Sequence, residues 1–99
     1  MKPVVFHRQA EAELRAAIKY YDGERDGLGL EFQEEVEAAV TRIKQTPLAF
    51  SPYGNEGLRK YVIRRFPFTI YYQDLEDCIW IAAVANQRRR PGYWAHRTP

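Results

Sequence analysis

Three consecutive arginines near the end of the chain are followed by a Pro-Gly step and then by two large aromatic residues, Tyr93 and Trp94. Guanidinium groups bind phosphates and carboxylates through paired hydrogen bonds. A tyrosine beside them can stack on a nucleic-acid base or exchange a proton. The segment therefore indicates either binding of an anionic partner or a proton transfer by the tyrosine. The three arginines are Arg88, Arg89 and Arg90.

The aromatic pair argues against a solvated tail, because a free tail gains nothing from exposing two large apolar side chains to water. We therefore expect Trp94, and with it Tyr93, to dock on the rest of the domain. The Pro91-Gly92 turn would then hold the arginines in a loop at the end of the last strand.

A second basic stretch, LRKYVIRR (58–65), brings four cations to one predicted strand and its exit. It is either a solvent-facing edge that charge protects from aggregation, or a cationic groove for a phosphate backbone or an acidic protein segment. We retain both interpretations. The candidate partner-binding residues of the whole chain are Arg64, Arg65, Arg88, Arg89, Arg90, Tyr93 and Arg97.

The net charge of +2 is divided unevenly along the chain. Residues 7–46 contain six basic and nine acidic residues, whereas residues 57–99 contain eight basic and three acidic ones. An acidic or polyanionic partner should therefore favour the second half.

Several classes of site lack sequence support. Cys78 is the one cysteine, so no intramolecular disulfide can form, and a reduced cytoplasmic setting is expected. His7 and Arg8 interrupt the apolar N-terminal stretch, so we expect no signal peptide, and no apolar run approaches the roughly 20 residues that span a bilayer. CxxC, HExxH, P-loop and GxSxG motifs are absent, and His7 and His96 stand at opposite ends. We expect no metal, cofactor or membrane partner.

The polar side of the second predicted helix is acidic. At their spacing its glutamates surround an exposed face and do not converge on one point, which predicts a solvated surface without catalytic carboxylates. These residues are Glu31, Glu34, Glu35 and Glu37.

The elements that must position these residues follow from periodicity. VVF (4–6) predicts a first strand, and apolar residues at helical spacing predict helices from about Ala10 to Tyr21 and from Leu28 to Ile43, the second ending before Pro47. An aperiodic connector (46–57) precedes strands at 58–65, 68–73 and 78–85. The sequence thus predicts one α+β domain over 1–99, with the order β-α-α-β-β-β and a helical hairpin packed on an antiparallel sheet.

Four segments in this order resemble the RelE/ParE superfamily of type II toxins. They are LxxAxxYY (14–21), LGxEFxxEV (28–36), RRFPFTIYY (64–72) and IAAVANQRRRPGYW (81–94). The resemblance covers nearly the whole chain, and it implies a small toxin encoded beside an antitoxin that neutralises it by wrapping over its surface.

The resemblance includes two activities. RelE-like members cut messenger RNA on the ribosome with basic residues and a C-terminal tyrosine, whereas ParE-like members of the plasmid-stabilisation branch inhibit DNA gyrase by binding. Tyr93 matches the tyrosine and Lys60 one lysine, but Thr69 and Gln87 stand where arginines are expected. We therefore favour the ParE-like, non-enzymatic activity.

Two alternatives stay open. One is a ribosome-dependent endoribonuclease in which Tyr93 acts with Arg88 and Arg90, or with Arg89. The other is a non-toxic module whose basic face serves only to bind an acidic partner.

Overall fold

The helical hairpin forms where the apolar spacing predicts it. In the computed structural model, which describes residues 1–99, strand β1 (Val4–Phe6) leads into helices α1 (Arg8–Glu24) and α2 (Leu28–Gln45). His7 caps α1, because its Nδ1 accepts a hydrogen bond from the backbone N–H of Gln9 over 3.0 Å. Neither helix combines the length and the apolar composition of a membrane-spanning segment.

The turn between the helices depends on two glycines and an aspartate. Gly27 has a φ of 88°, a left-handed conformation that glycine adopts without strain. Asp22 Oδ1 accepts hydrogen bonds from the backbone N–H groups of Gly27 and Gly29, at 3.2 and 3.1 Å. A Cβ on Gly29 would lie 2.5 Å from the carbonyl oxygen of Ile18, so the close approach of the two helices requires glycine there.

The sheet has five strands in the order β1-β5-β4-β3-β2. The remaining strands are β2 (Ser51–Tyr53), β3 (Leu58–Ile63), β4 (Phe68–Asp74) and β5 (Ile79–Asn86). The predicted α+β class and the helical hairpin on a sheet are confirmed.

The sheet departs from the expectation in two details. Strand β1 pairs parallel with β5, so the sheet is mixed, because the direction of a pairing between distant segments leaves no periodic signal in the sequence. Residues 51–53, expected within the connector, form the short strand β2. The sheet tolerates Pro52 there because β2 is an edge strand. The N–H that proline lacks is not needed for a hydrogen bond to a neighbouring strand.

The main core lies between the helices and the sheet. Phe32 and Ile43 of α2 meet Ile70 and Tyr72 of β4, and all four are fully buried. The Tyr72 hydroxyl donates a hydrogen bond to the carbonyl of Pro47 over 2.5 Å, which ties the end of the helical hairpin to the sheet. A smaller apolar cluster covers the opposite face of the sheet around Tyr71, Trp80 and Trp94.

Strand β5 contains one residue more than its partner. Tyr72 pairs with Ile81 and Tyr71 with Ala83, so Ala82 has no counterpart in β4, which is a β-bulge. Before the bulge Ile81 faces the helices, and after it Val84 does. The bulge therefore keeps large apolar side chains on the helical side along the whole strand.

Candidate functional site

Five of the predicted binding arginines converge on one end of the sheet. Ile63, the last residue of β3, pairs with Phe68, the first residue of β4, which in turn pairs with Asn86, the last residue of β5. The residues that follow β3 and β5 therefore emerge together. We call this surface the arginine end, and it consists of Arg64, Arg65, Arg88, Arg89 and Arg90.

The basic loop after β5 is held by local hydrogen bonds. The backbone N–H of Arg88 donates to Asn86 Oδ1 over 2.8 Å, and that of Arg89 donates to the Asn86 carbonyl over 3.1 Å. The Gln87 N–H donates to the carbonyl of Pro67 over 2.7 Å. The loop is thus fastened to the β3–β4 turn, while all three arginine side chains remain exposed.

Trp94 docks as predicted. It is 2% exposed, and its ring stacks on Tyr71 with the ring centroids 4.0 Å apart and an interplanar angle of 28°. Gly92 takes the left-handed conformation, with a φ of 91°, that turns the chain back toward the sheet. The aromatic pair therefore anchors the basic loop, as expected for a structural role of Trp94.

Glu13 of α1 lies beside this loop, and it is absent from the residues that we predicted for the site. Its carboxylate accepts hydrogen bonds from the Tyr93 hydroxyl at 2.6 Å, from the Arg97 guanidinium at 2.9 and 3.1 Å, and from the backbone N–H of Val84 at 3.0 Å. One signal could have revealed it. Glu13 lies between Ala10 and Ala17 at helical spacing, so it is an acidic residue on the buried face of α1.

Arg97 lies away from the arginine end. Its side chain is 5% exposed, and besides Glu13 it donates to the carbonyl of Ala82 over 2.9 Å. Strand β1 ends at Phe6, opposite Ile81, so the edge of β5 beyond that point has no strand beside it. Arg97 and Glu13 form hydrogen bonds with the backbone of this edge in place of a strand. The Arg97 guanidinium therefore already has its hydrogen-bond partners inside the domain.

Tyr93 lies between positively and negatively charged side chains. The Arg89 guanidinium lies over its ring at 3.7 Å from the centroid, and the hydroxyl donates to Glu13. Burial raises the pKa of the Tyr93 hydroxyl well above its usual value, and the hydrogen bond to Glu13 and its charge raise it further, whereas Arg89 and Arg97 lower it less. The hydroxyl is therefore held protonated, which disfavours it as a general base.

The two positions where a RelE-like site would carry arginines are linked to each other. Thr69 is 6% exposed. The Gln87 side-chain amide donates to the carbonyl of Phe68 at 3.0 Å and to the Thr69 hydroxyl at 3.4 Å. No cation stands at either position, so a phosphate there would meet a neutral hydroxyl and an amide.

The charge of the arginine end is only partly neutralised. Arg65 pairs with Glu31 of α2, and Arg25 pairs with the same carboxylate at 3.3 Å. Hydrogen bonding from Arg65 lowers the pKa of the Glu31 carboxyl below its usual value. Glu31 is thus partly exposed and paired with two arginines, while Arg64 and Arg90 have no ion-pair partner.

A cleft of about 640 Å³ opens beside the basic loop, between α1 and the start of β4. Its lining is mainly apolar and aromatic, with Tyr21 and Phe68 among its residues. Arg88 and Arg89 line it on the side of the basic loop, and Glu24 lines it on the side of α1. Such a site suits an amphipathic segment that carries acidic side chains. His, Cys, Asp and Glu residues do not gather in groups of three or more anywhere in the structure, so no set of side chains is arranged to hold a metal.

The fold is similar to solved toxin structures. The structure of the chromosomal ParDE toxin–antitoxin system from P. aeruginosa matches with a TM-score of 0.76 and 21% identity, over 87% of this chain and 96% of that one. The isolated E. coli RelE toxin matches with a TM-score of 0.68 and 18% identity, over 94% of this chain and 92% of the other. A search of curated protein sequences finds no significant match.

The sequence itself matches a family model over residues 4–91, from the start of β1 to the turn that follows the three arginines. That model describes the ParE toxin of the type II toxin–antitoxin system, parDE. Both helices, all five strands and the arginine end fall within the matched range. The chain belongs to the ParE toxin family of type II toxin–antitoxin systems.

Proposed function

We propose that this protein stops bacterial growth by binding DNA gyrase through its arginine end, without cleaving a substrate. The observation that carries the proposal is the pair Thr69 and Gln87, a buried hydroxyl and an amide where a ribonuclease of this fold would need cations. Stabilising the charge that develops on a phosphodiester during cleavage requires such cations. Tyr93 supports the same conclusion, since its hydroxyl is bonded to a carboxylate and its pKa is raised.

Binding needs the features that the arginine end has. Arg64, Arg88 and Arg90 are exposed and have no carboxylate partner within the chain. A loop fastened by Asn86 and Gln87 presents its arginines with little loss of conformational entropy on binding. The expected contacts are paired hydrogen bonds to carboxylates of gyrase or to phosphates of the DNA that gyrase holds.

The cognate antitoxin is the second partner. We propose that an amphipathic segment of it occupies the cleft between α1 and β4, with apolar side chains on Tyr21 and Phe68 and acidic ones beside Arg88 and Arg89. It would neutralise the toxin by covering these arginines, which the target needs. Both encounters would take place in the cytoplasm.

An endoribonuclease that acts on messenger RNA in the ribosome is the second candidate. The observation in its favour is the Arg89 guanidinium 3.7 Å from the centre of the Tyr93 ring, which places a cation beside a tyrosine hydroxyl. In that case Tyr93 would handle a proton and Arg88 or Arg90 would hold the phosphate.

Expression of the chain alone in bacteria separates these functions. Growth, cleavage of reporter messages and accumulation of gyrase–DNA cleavage complexes are measured for the native chain, for the triple variant of Arg88, Arg89 and Arg90 to Ala, and for Arg15→Ala. Arg15 is an exposed arginine on α1 and serves as the control. We expect cleavage complexes with intact messages for the native chain and for Arg15→Ala, and normal growth for the triple variant.

Each other result excludes a candidate. Messages cut at defined codon positions, with gyrase unaffected, would refute inhibition by gyrase binding. Normal growth with soluble native protein would indicate the third possibility, a binding module without toxicity. Tyr93→Phe adds a direct test, because it should remove message cleavage but leave gyrase inhibition nearly unchanged.

A further inference from the structure

A basic groove, distinct from the cleft beside α1, lies near the opposite edge of the sheet, where β3 extends beyond its neighbour β2. It has a volume of about 480 Å³ and shares no residue with the cleft beside α1. Its charged residues are Arg42 of α2, Lys60 of β3 and Arg64 just after β3, and no carboxylate lines it. Three cations from different elements are thus brought together without a counter-charge.

None of these cations is neutralised elsewhere in the fold. Lys60 and Arg64 form no ion pair and no side-chain hydrogen bond, and Arg42 donates only to the Tyr61 hydroxyl, over 2.8 Å. The ring of Tyr61 packs edge-on against Phe50 at 4.9 Å between centroids. Arg42 is therefore held at the wall of the groove by a fixed aromatic residue.

The groove coincides with an unpaired strand edge. The pairing of β2 with β3 ends at Ser51 opposite Lys60, whereas β3 continues to Ile63. Residues 61–63 pair with β4 on one side, and no backbone hydrogen bond joins their other side to any part of the chain. Val62, in the middle of this stretch, is 50% exposed. Such an edge can accept another strand.

The cations stand on both faces of this edge. Lys60 and Val62 lie on the face of the sheet away from the helices, and Arg64 follows in the turn after β3. Tyr61, with Arg42 bonded to it, lies on the helical face. Exposed charges on β3 itself would be enough to prevent aggregation at this edge. The additional arginine that α2 holds beside the edge therefore favours a binding role. An added strand would present side chains alternately to the two sets of cations.

We propose that the edge of β3 at residues 61–63 binds an acidic, extended protein segment as an additional strand. Its acidic side chains would meet Lys60 on one face and Arg64 where the strand ends, with an apolar residue between them on Val62. A further acidic residue next to the apolar one would meet Arg42 on the other face. This site adjoins the proposed gyrase contact and shares Arg64 with it.

A blocked heptapeptide, Ser-Glu-Glu-Val-Glu-Glu-Ser, fits this pattern in either strand direction and serves as the probe. We expect titration of the ¹⁵N-labelled full chain to give saturable NMR shifts at the amides of Tyr61, Val62 and Ile63. The same peptide with glutamine in place of glutamate should bind at least about tenfold more weakly, because the attraction between opposite charges is lost. No saturable shift at these amides would overturn the proposal.

Backbone pairing is tested by methylating single backbone amides of the peptide, because each methyl group removes one hydrogen-bond donor. Since only alternate amides of an added strand face its neighbour, methylation at the valine and at an adjacent glutamate should differ, one abolishing binding and the other not. Equal binding of both methylated peptides would exclude strand addition. This comparison uses the native chain and so does not depend on how any variant folds.

Charge reversal locates the site. The double variant Lys60→Glu, Arg64→Glu should bind the peptide at least about tenfold more weakly, and Lys19→Glu, on the exposed face of α1, should bind it like the native chain. An equal loss with Lys19→Glu would show that only overall charge matters and refute the groove. An octathymidylate that binds the same amides more tightly than the peptide would instead assign the groove to nucleic acid.

Discussion

The hydroxyl of Tyr93 lies 2.6 Å from Oε2 of Glu13, so residues 80 positions apart in the chain share one short hydrogen bond. The same carboxylate holds Arg97 and the open edge of β5. The position of the basic loop is therefore set in part by a residue of the first helix.

Removal of Glu13 should destabilise the fold strongly. In Glu13→Ala the buried Arg97 guanidinium and the Tyr93 hydroxyl lose their acceptor, and we expect a loss of about 3 kcal/mol in the free energy of unfolding. Urea denaturation followed by circular dichroism measures it. Glu11→Ala is the matched control, because Glu11 pairs with Arg15 in solvent and its loss should cost about 0.5 kcal/mol or less. Equal effects of the two substitutions would contradict the role of Glu13.

Substitution of the anchor residue Trp94 should lower stability, whereas substitution of the arginines of the basic loop should mainly weaken binding. Trp94→Ala removes a buried ring stacked on Tyr71 and should cost about 3–5 kcal/mol of stability. Replacement of Arg88, Arg89 and Arg90 by Ala should change stability by about 1 kcal/mol at most, while weakening target binding and reducing its salt dependence. Thermal unfolding and a binding isotherm at two salt concentrations check both statements. Unfolding of the triple variant would show that the arginines are structural.

Alkaline pH should destabilise the protein. Burial raises the pKa of Tyr72 to about 12 from an ordinary value of 10.0, and it also raises that of Tyr93. Because the folded state retains these protons more strongly than the unfolded state, their contribution to stability is complete below pH 10 and falls as the pH rises from 10 toward 12. Urea midpoints measured across this range should decrease.

The same tyrosines can be followed by absorbance. Of the seven tyrosines, Tyr72 and Tyr93 should ionise only with unfolding, so a titration monitored near 295 nm should show a late, cooperative step. Tyr93→Phe should reduce that late step and flatten the loss of stability. A titration in which all seven ionise together near pH 10 would be inconsistent with the buried hydroxyls.

The two helical glycines should respond in opposite directions. Gly29→Ala places a Cβ 2.5 Å from the Ile18 carbonyl oxygen, so the helices must move apart, and we expect a loss of about 2 kcal/mol. Gly23→Ala meets no atom within 4 Å inside α1 and should stabilise the protein by about 0.5–1 kcal/mol. Denaturation midpoints of the two variants measure the difference, and a similar sign for both would refute the packing explanation.

Much of the architecture follows from local patterns in the sequence. The helices were predictable because their apolar stripes must face a core, and Pro47 marks the end of α2 in the chain itself. Docking of Trp94 was predictable because a large aromatic residue gains free energy by burial. The short strand β2 was not, since three residues with a proline have no usable period.

The hidden part of the site depends on contacts between distant segments. Helical spacing places Glu13 on the buried face of α1, but nothing local indicates that its partner is Arg97, because only the fold brings the two residues together. The contact between Thr69 and Gln87 also joins distant segments of the chain. Periodicity does not single out these two residues, but the resemblance to known toxins identified both positions.

The extra residue in β5 acts as a phase shift in the two-residue alternation of the strand. Ala82 and Ala83 both lie on the face that Trp94 covers, so deleting Ala82 would restore a regular alternation and leave Val84 facing the helices. Inserting one residue between Ala83 and Val84 would instead turn Val84 toward Trp94 and take Asn86 out of the cleft. No single substitution could restore that arrangement. The chain length from Ala83 to Asn86 is therefore as strong a constraint on this surface as the identity of its arginines, and relatives should tolerate replacements in this segment far better than insertions.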